Sequence, residues 1–319
     1  MKNSALYRWL SPKKLVAFLT CTLALLMAPM SASANDKYAS IVIDMGTNQV
    51  LHARYADSPR YPASLTKVMT LYMVFDALDS GELTLDEELP VSARAAAASP
   101  SKLGLRPGST IRTDDAILAL VTKSANDVSV VFAERLGGTE SRFAALMTVK
   151  SRALGMNHTR FYNAHGLPDA RQVTTARDMA TLGIRIMEDH ADYYEYFATK
   201  SFRYGGATYK NHNKLLGVVD GVDGIKTGYT RASGFNLLAS ARRDDTRIIT
   251  VVMGGKTSKA RNDHVAELLE AAFLAVDETS PAEPDLRTKI AFQNIQGGED
   301  EETASLLTPV SLDQGSRAE

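Results

Sequence analysis

Cysteine is nearly missing from this chain of 319 residues: the only one, Cys21, sits in an apolar amino-terminal run. Once that run is removed, there is no thiol nucleophile, no disulfide and no cysteine-ligated metal. An excess of basic charge is also missing. The formal net charge of −1 gives the molecule no electrostatic attraction for nucleic acid. No G-x-S-x-G elbow occurs, and His52, His158, His165, His190, His212 and His264 are scattered, which disfavours a Ser-His-Asp hydrolase. H-E-x-x-H is absent, so a zinc peptidase is disfavoured as well, and neither metal nor cofactor is expected. Internal repeats are lacking. What remains, 45% hydrophobic and 23% charged, is an ordinary globular composition with enough apolar material for a sizeable core.

Charge is unevenly placed along the chain. Lys2, Arg8, Lys13 and Lys14 precede an apolar run from Leu15 to Met27, and Ala32-Ser33-Ala34 supplies small residues for cleavage. Residues 1–34 therefore read as a secretory signal, the run being shorter than the roughly 20 residues of a comfortable membrane span. An uncleaved anchor is the alternative. Residues 35–277 form a nearly neutral body. Residues 278–319 turn to Pro, Glu, Gln and Gly, with the run Glu299-Asp300-Glu301-Glu302, and read as a disordered acidic tail.

Within the body, Ser40–Asp44 and Gln49–Ala53 are β-like runs around the turn residues Met45-Gly46-Thr47-Asn48, which predicts a hairpin. After Pro62 the apolar residues Leu65, Val68, Met69, Met73 and Leu78 recur at helical steps. Residues 93–108 read as irregular. Helices are expected from Thr113, over 127–136, 141–154 and 175–187, and from about His264 to Val276. Strand character returns at 236–241 and 248–253. Strands at both ends of the body with helices between them predict an α/β layer in which distant segments pair.

Three short signatures carry the chemistry. Ser64-Leu65-Thr66-Lys67 is S-x-x-K, Ser124-Ala125-Asn126 is S-x-N and Lys226-Thr227-Gly228 is K-T-G. Each recurs by chance or has a bland reading. S-x-x-K is repeated at Ser11–Lys14 and Ser99–Lys102, and Ser33-Ala34-Asn35 repeats S-A-N. Ser64 by itself could be a helix cap, Lys67 a solvated lysine, Ser124 to Asn126 a turn and Gly228 a bend. Only the copy at Ser64 opens a strongly periodic helix. There, residues i and i+3 share a face, and a serine at the helix start sits among amides that have no helical partner.

With all three in this order, the chain resembles the low-molecular-mass penicillin-binding proteins, the serine-type D-alanyl-D-alanine carboxypeptidases. The resemblance runs from about Lys37 to Phe273. It includes Pro62–Thr70, Leu105-Arg106-Pro107-Gly108, His165-Gly166-Leu167, Thr175–Ala180, Val222–Thr230 and Gly254-Gly255-Lys256-Thr257 with Arg261. It implies a β-lactamase/transpeptidase-like α/β fold: an antiparallel five-stranded sheet flanked by helices, with a helical subdomain. It implies that Ser64 attacks the bond between the last two D-alanines of a peptidoglycan stem peptide, with Lys67 as base. Ser124 would relay a proton and Asn126 would hold the peptide. Lys226 would add positive potential, and Thr227-Gly228 would lay the substrate along a strand edge. The amides of Ser64 and Tyr229 would form the oxyanion hole, and Arg261 with Thr227 would grip the terminal carboxylate.

A lysine with the ordinary pKa near 10.4 costs roughly 4.6 kcal/mol to neutralise at pH 7. Desolvation can move a lysine by about 3–5 units, so burial beside Lys226 suffices in magnitude. The resemblance also implies acylation by β-lactams. A class A β-lactamase is disfavoured because no E-x-x-x-N pattern lies between Asn126 and Lys226. A D,D-endopeptidase with the same machinery and a non-catalytic wall-binding scaffold are the alternatives. Many relatives carry a β-rich domain and an amphipathic anchor helix after the catalytic domain. Only residues 278–319 follow here, so the expectation is an exported, periplasmic protein without a stable membrane anchor.

Overall fold

The structure, a computed structural model, describes residues 37–277. The expected signal at 1–34 and the acidic tail at 278–319 lie outside the described residues.

The centre is a five-stranded sheet built from β1 (Ala39–Asp44), β2 (Val50–Arg54), β7 (Val222–Thr230), β8 (Gly234–Arg243) and β9 (Thr246–Gly255). Its order is β2-β1-β9-β8-β7, and every neighbouring pair is antiparallel. The amino-terminal hairpin is as expected, and β1 pairs with β9 across some two hundred residues, Ile41 opposite Val251. Strand alternation sorts the apolar side chains to two faces. Ile41, Ile43, Leu238, Ile249, Val251 and Met253 enter the larger core. Val42, Leu237, Ala239, Ile248 and Val252 enter a second one beneath α7 (Ser258–Asp277). Val265, Leu268, Leu269, Ala272 and Phe273 of α7 recur at helical spacing and close that second core. Each such fully buried aliphatic side chain contributes about 1.5–3 kcal/mol.

The opposite face is covered by α6 (Ala176–Asp189), whose Gly183 lets it lie close to the sheet. A Cβ there would stand 2.9 Å from Leu238 Cδ1. Beyond α6 the same core continues into a helical layer of α1 (Thr66–Asp79), α3 (Thr113–Thr122), α4 (Asn126–Gly137) and α5 (Glu140–Ala153). Hydroxyl caps start two of these helices: Thr139 accepts from Arg142 N, and Thr175 accepts from Asp178 N. Helix α1 is buried on nearly every side. Val68, Met69, Leu71, Val74 and Phe75 are fully enclosed, as are Lys67 and Thr70, whereas Met73 and Leu78 of the expected apolar stripe are only partly covered. The fold is the expected α/β architecture.

Three elements differ from expectation. A ribbon of β3 (Glu88–Pro90) and β4 (Thr110–Arg112) brackets the irregular stretch, which itself holds a single turn of helix, α2 (Ala93–Ala96). A hairpin of β5 (Ser201–Tyr204) and β6 (Ala207–Lys210) turns on Gly205 and Gly206, both at positive φ. Helix α7 begins at Ser258, earlier than His264, because Thr257 Oγ takes the Ala260 amide at 3.0 Å and caps it. Among the described residues no helix is long and apolar enough to cross a membrane.

Candidate active site

Ser64 stands in a short 3₁₀ turn, Ala63–Leu65, immediately ahead of α1, and not inside the helix proper. Ala63, just before it, is held at φ 49°, a left-handed conformation that costs a non-glycine residue energy and collects at functional sites. Two glycines let other segments press against this turn. A Cβ at Gly228 would lie 3.0 Å from the Ser64 amide nitrogen, and one at Gly166 would collide with Ala63 O at 1.9 Å. The bland reading of Ser64 as a helix cap fails, since α1 has no side-chain cap. A cleft of about 480 Å³ opens in front of the serine.

Lys67 lies one turn on and is fully buried. Its Nζ stands 3.3 Å from Ser64 Oγ and donates to Asn126 Oδ1 at 2.7 Å and to His165 O at 2.6 Å. Desolvation, reinforced by the nearby charge of Lys226, pushes its pKa well below that of an ordinary lysine, and Asp127 pulls the other way. Lys67 is therefore not a solvated lysine. A depressed pKa beside a hydroxyl nucleophile is what general-base activation requires.

Ser124 sits at φ 58° between α3 and α4 and lines the cleft. Its Oγ is buried and has no hydrogen-bond partner. A native site rarely leaves a buried hydroxyl unpaired unless a ligand takes it up. Asn126, at the first residue of α4, is committed at both ends: Oδ1 receives Lys67, and Nδ2 donates to Ser99 O at 2.8 Å. Besides any contact with substrate, it orients the amine.

The stretch 99–105, whose first four residues repeat S-x-x-K at Ser99–Lys102, forms a wall of the cleft through Pro100 and Ser101. It is tied down by Asn126 N to Ser101 O at 2.7 Å. The buried Asp127 carboxylate also holds it, receiving the amides of Leu103 (3.1 Å), Gly104 (2.9 Å) and Leu105 (3.2 Å).

Strand β7 is an edge of the sheet, paired only with β8, and Thr227, Gly228 and Tyr229 line the cleft. Lys226 is buried behind them, its Nζ on Thr227 O at 3.1 Å. Burial first, and then the charge of Arg261, brings its pKa down to about 7. Tyr229 is exposed and stacks on Phe235, ring centroids 4.1 Å apart. Arg261, 3% exposed, reaches the cleft from α7. It donates to Asn236 O and, at 2.7 Å, to Asn262 Oδ1. Ser64, Ser124, Asn126, Thr227, Gly228, Tyr229 and Arg261 thus line one cleft, with Lys67 and Lys226 buried in its wall.

Sequence reasoning missed three supporting residues. Asn236 braces the turn that carries Ser64, its Nδ2 on Tyr61 O (3.1 Å) and Pro62 O (3.2 Å), while its Oδ1 receives Gly254 N at 3.0 Å. A polar residue inside the apolar run of β8 was the signal for it. Asp127, directly after the second signature, is the loop anchor already described. Glu140 is the third: its carboxylate receives His165 Nε2 at 3.0 Å and Arg94 Nη2 at 2.9 Å. Burial alone would raise the Glu140 pKa, but these bonds hold it at about 2. His165 Nδ1 accepts from Leu167 N at 3.1 Å, so Nε2 carries the ring proton. Burial lowers the pKa of this imidazole below that of an ordinary histidine, while the bond to Glu140 pulls the other way. Its backbone carbonyl accepts from Lys67 Nζ, and its ring is held by Glu140 and Leu167.

Sequence and fold match known proteins. Residues 28–257 match the model of the D-alanyl-D-alanine carboxypeptidase family of peptidases, and the chain belongs to that family. D-alanyl-D-alanine carboxypeptidase DacC of Escherichia coli is 35% identical over 80% of this chain and 66% of its own length, so the chain spans just under two thirds of that relative. A D-alanyl-D-alanine endopeptidase of Escherichia coli is 30% identical over 67% of this chain and 70% of its own. Among solved structures, the D-alanyl-D-alanine carboxypeptidase DacD of Francisella tularensis superposes with a TM-score of 0.71 at 30% identity, covering 73% of this chain and 70% of the other. Penicillin-binding protein D2 of Listeria monocytogenes, in its ampicillin-bound form, gives 0.68 at 30% identity over 74% of this chain and 96% of its own.

Proposed function

We propose that this protein is a serine-type D-Ala-D-Ala carboxypeptidase that removes the terminal D-alanine of peptidoglycan stem peptides through an acyl-enzyme on Ser64. The observation that carries the reading is the fully buried Lys67 amine, 3.3 Å from Ser64 Oγ, with its pKa driven down by burial and by Lys226. Neutral Lys67 takes the Ser64 proton as Oγ attacks the carbonyl between the last two D-alanines. The oxyanion forms between the Ser64 and Tyr229 amides, where loss of one donor typically costs about 3 kcal/mol. Ser124, its hydroxyl otherwise unpaired, passes the proton from Lys67 to the departing D-alanine nitrogen. Water then attacks the ester, with Lys67 again as base. Thr227 and Arg261 hold the terminal carboxylate, Lys226 supplies positive potential, and Gly228 admits the substrate backbone beside Ser64.

The ampicillin-bound Listeria relative supports β-lactams as acylating inhibitors of the same serine. The basic and apolar amino-terminal run supports export to the periplasm, where the substrate lies. The endopeptidase among the relatives favours cleavage of D-alanyl cross-links as the second reading.

Ser64→Ala tests the proposal. Labelling by a fluorescent penicillin should vanish, and D-alanine release should fall by about 10³-fold or more. Undiminished release in a folded variant would overturn the mechanism. A free pentapeptide assayed beside a cross-linked dimer decides between the two readings.

A further inference from the structure

Beneath α7 the sheet breaks its own apolar pattern. Alternation puts Ser40 on the same face as Val42, which enters the core under α7, and His52 stands directly opposite Val42 on β2. Both polar side chains are buried, Ser40 completely. Ser40 Oγ lies 2.8 Å from His52 Nε2 and receives the Tyr38 hydroxyl, also at 2.8 Å. Tyr38 Oη in turn lies 2.7 Å from His264 Nε2 on α7, and His264 Nδ1 faces Glu267 Oε2 at 3.7 Å. A polar chain thus runs from β2 through β1 to α7, and none of its members lines the reaction cleft.

The supply of protons limits what this chain can hold. Its three links, His264 to Tyr38, Tyr38 to Ser40 and Ser40 to His52, need one proton each, and the two hydroxyls supply two. Tyr38 donates toward Ser40, so Ser40 donates to His52 Nε2 and the third proton sits on His264 Nε2. One further proton fits on His264 Nδ1, opposite the Glu267 carboxylate, and disturbs no link. A second would land on His52 Nε2, where the Ser40 proton already points, and would break that link.

The chain also pins α7. Arg261 anchors the first turn of the helix to β8 by donating to Asn236 O, and His264 anchors the next turn to Tyr38. Residues three apart lie on one side of a helix, so the two anchors together fix its rotation about its own axis. We propose that Tyr38, Ser40 and His52 are positioning residues: through His264 they fix the rotation of α7 that delivers Arg261 to the cleft, by a chain that holds one added proton and not two. The part assigned to Arg261 rests on the proposed function.

The charges around the chain act in the same sense. Arg54 of β2 holds its guanidinium 5.7 Å from the centre of the Tyr38 ring, and Arg60 donates to Tyr38 O at 2.7 Å. Burial, then the charges of His264 and Arg54, bring the His52 pKa down to about 4. Burial also lowers that of His264, but there Glu267 pulls the other way. His52 titrates below its ordinary 6.5 in the folded chain, so stability falls as pH drops from 6.5 toward 4.

Histidine-ring ¹⁵N spectra and steady-state kinetics of the full chain test this. At neutral pH, His264 should carry its proton on Nε2 and His52 on Nδ1. His264 should become imidazolium first, with His52 neutral down to about pH 4. Tyr38→Phe keeps the ring but removes two links; it should narrow the gap between the two titrations. It should also raise KM for an Nα-acyl-D-Ala-D-Ala peptide about tenfold, with kcat within about twofold of the parent. His52→Gln keeps an acceptor for Ser40 without a titrating ring, and should flatten the loss of thermal stability between pH 6.5 and pH 4. Histidines that titrate together or in the reverse order overturn the proposal. So does a Tyr38→Phe protein that melts earlier with KM unmoved, the result expected of a merely structural brace. Parent protein that releases no D-alanine overturns the proposed function instead, and the ring titrations still judge the chain.

Discussion

Buried lysines set the behaviour of this site with pH. Acylation that uses neutral Lys67 should rise with pH through its depressed pKa and fall as Lys226 loses its charge around pH 7, where burial has brought it. Asp127 opposes the depression of Lys67. Asp127→Asn should therefore move the acid limb of penicillin acylation to lower pH, and it should loosen the 103–105 wall by leaving an amide poorly satisfied, at a cost of about 1–3 kcal/mol. An acid limb at the parental pH in stopped-flow acylation would rule out the electrostatic half of that claim. Lys226 also bears on stability. Its folded pKa of about 7 lies below its ordinary 10.5, so between those values the unfolded chain binds the extra proton and stability rises with pH. Lys226→Met should thus be more stable than the parent by about 1–3 kcal/mol near pH 7, at the expense of activity, with the gain fading toward pH 10.5. Denaturant melts at the two pH values check it.

At the level of elements, the site is an assembly of close approaches, and glycine decides which of them are achievable. Gly166 and Gly155 both adopt positive φ, 89° and 86°. Only at Gly166 would a Cβ strike backbone; at Gly155 it would meet nothing within 4 Å. Gly155→Ala should cost about 1 kcal/mol with acylation unaltered, whereas Gly166→Ala should displace the Ser64 turn and cut acylation by about 100-fold. Equal acylation rates for the two variants would remove the seating role of Gly166. The same contrast explains what could be read from sequence. The hairpin, α3, α4, α5 and α6 were legible because periodicity and capping are local signals. The three signatures were legible because Ser64 and Lys67 meet within one turn. Asn236, Asp127, Glu140 and the wall at 99–105 were not, since their roles consist of contacts with segments far away in the chain. The decoy Ser99–Lys102 failed as a motif yet forms part of the site for that reason.

Across the whole molecule, the sheet can close only when the two ends of the body meet. β1 lies between β2 and β9, and α7 seals the second core against both β1 and β9. Among the described residues, 37–277, the five-stranded sheet is complete, every inner strand being paired on both sides, and both large cores are closed by helices. This interval should therefore fold by itself and acylate with penicillin at the rate of the full chain, melting within about 2 °C of it. A shift of that size corresponds to about 0.5–1 kcal/mol in a domain this large. Because the pairing of β1 with β9 brings together residues some two hundred positions apart, refolding should be slow for the domain's size. Deleting 37–45 should be far worse than trimming outside the interval: it strips the partner from β9, opens an unpaired apolar strand in the centre of the sheet and leaves protein that aggregates. Calorimetry and penicillin labelling of the 37–277 fragment decide the point. A fragment that melts several degrees early or fails to label would mean that residues outside the interval contribute to the folded domain.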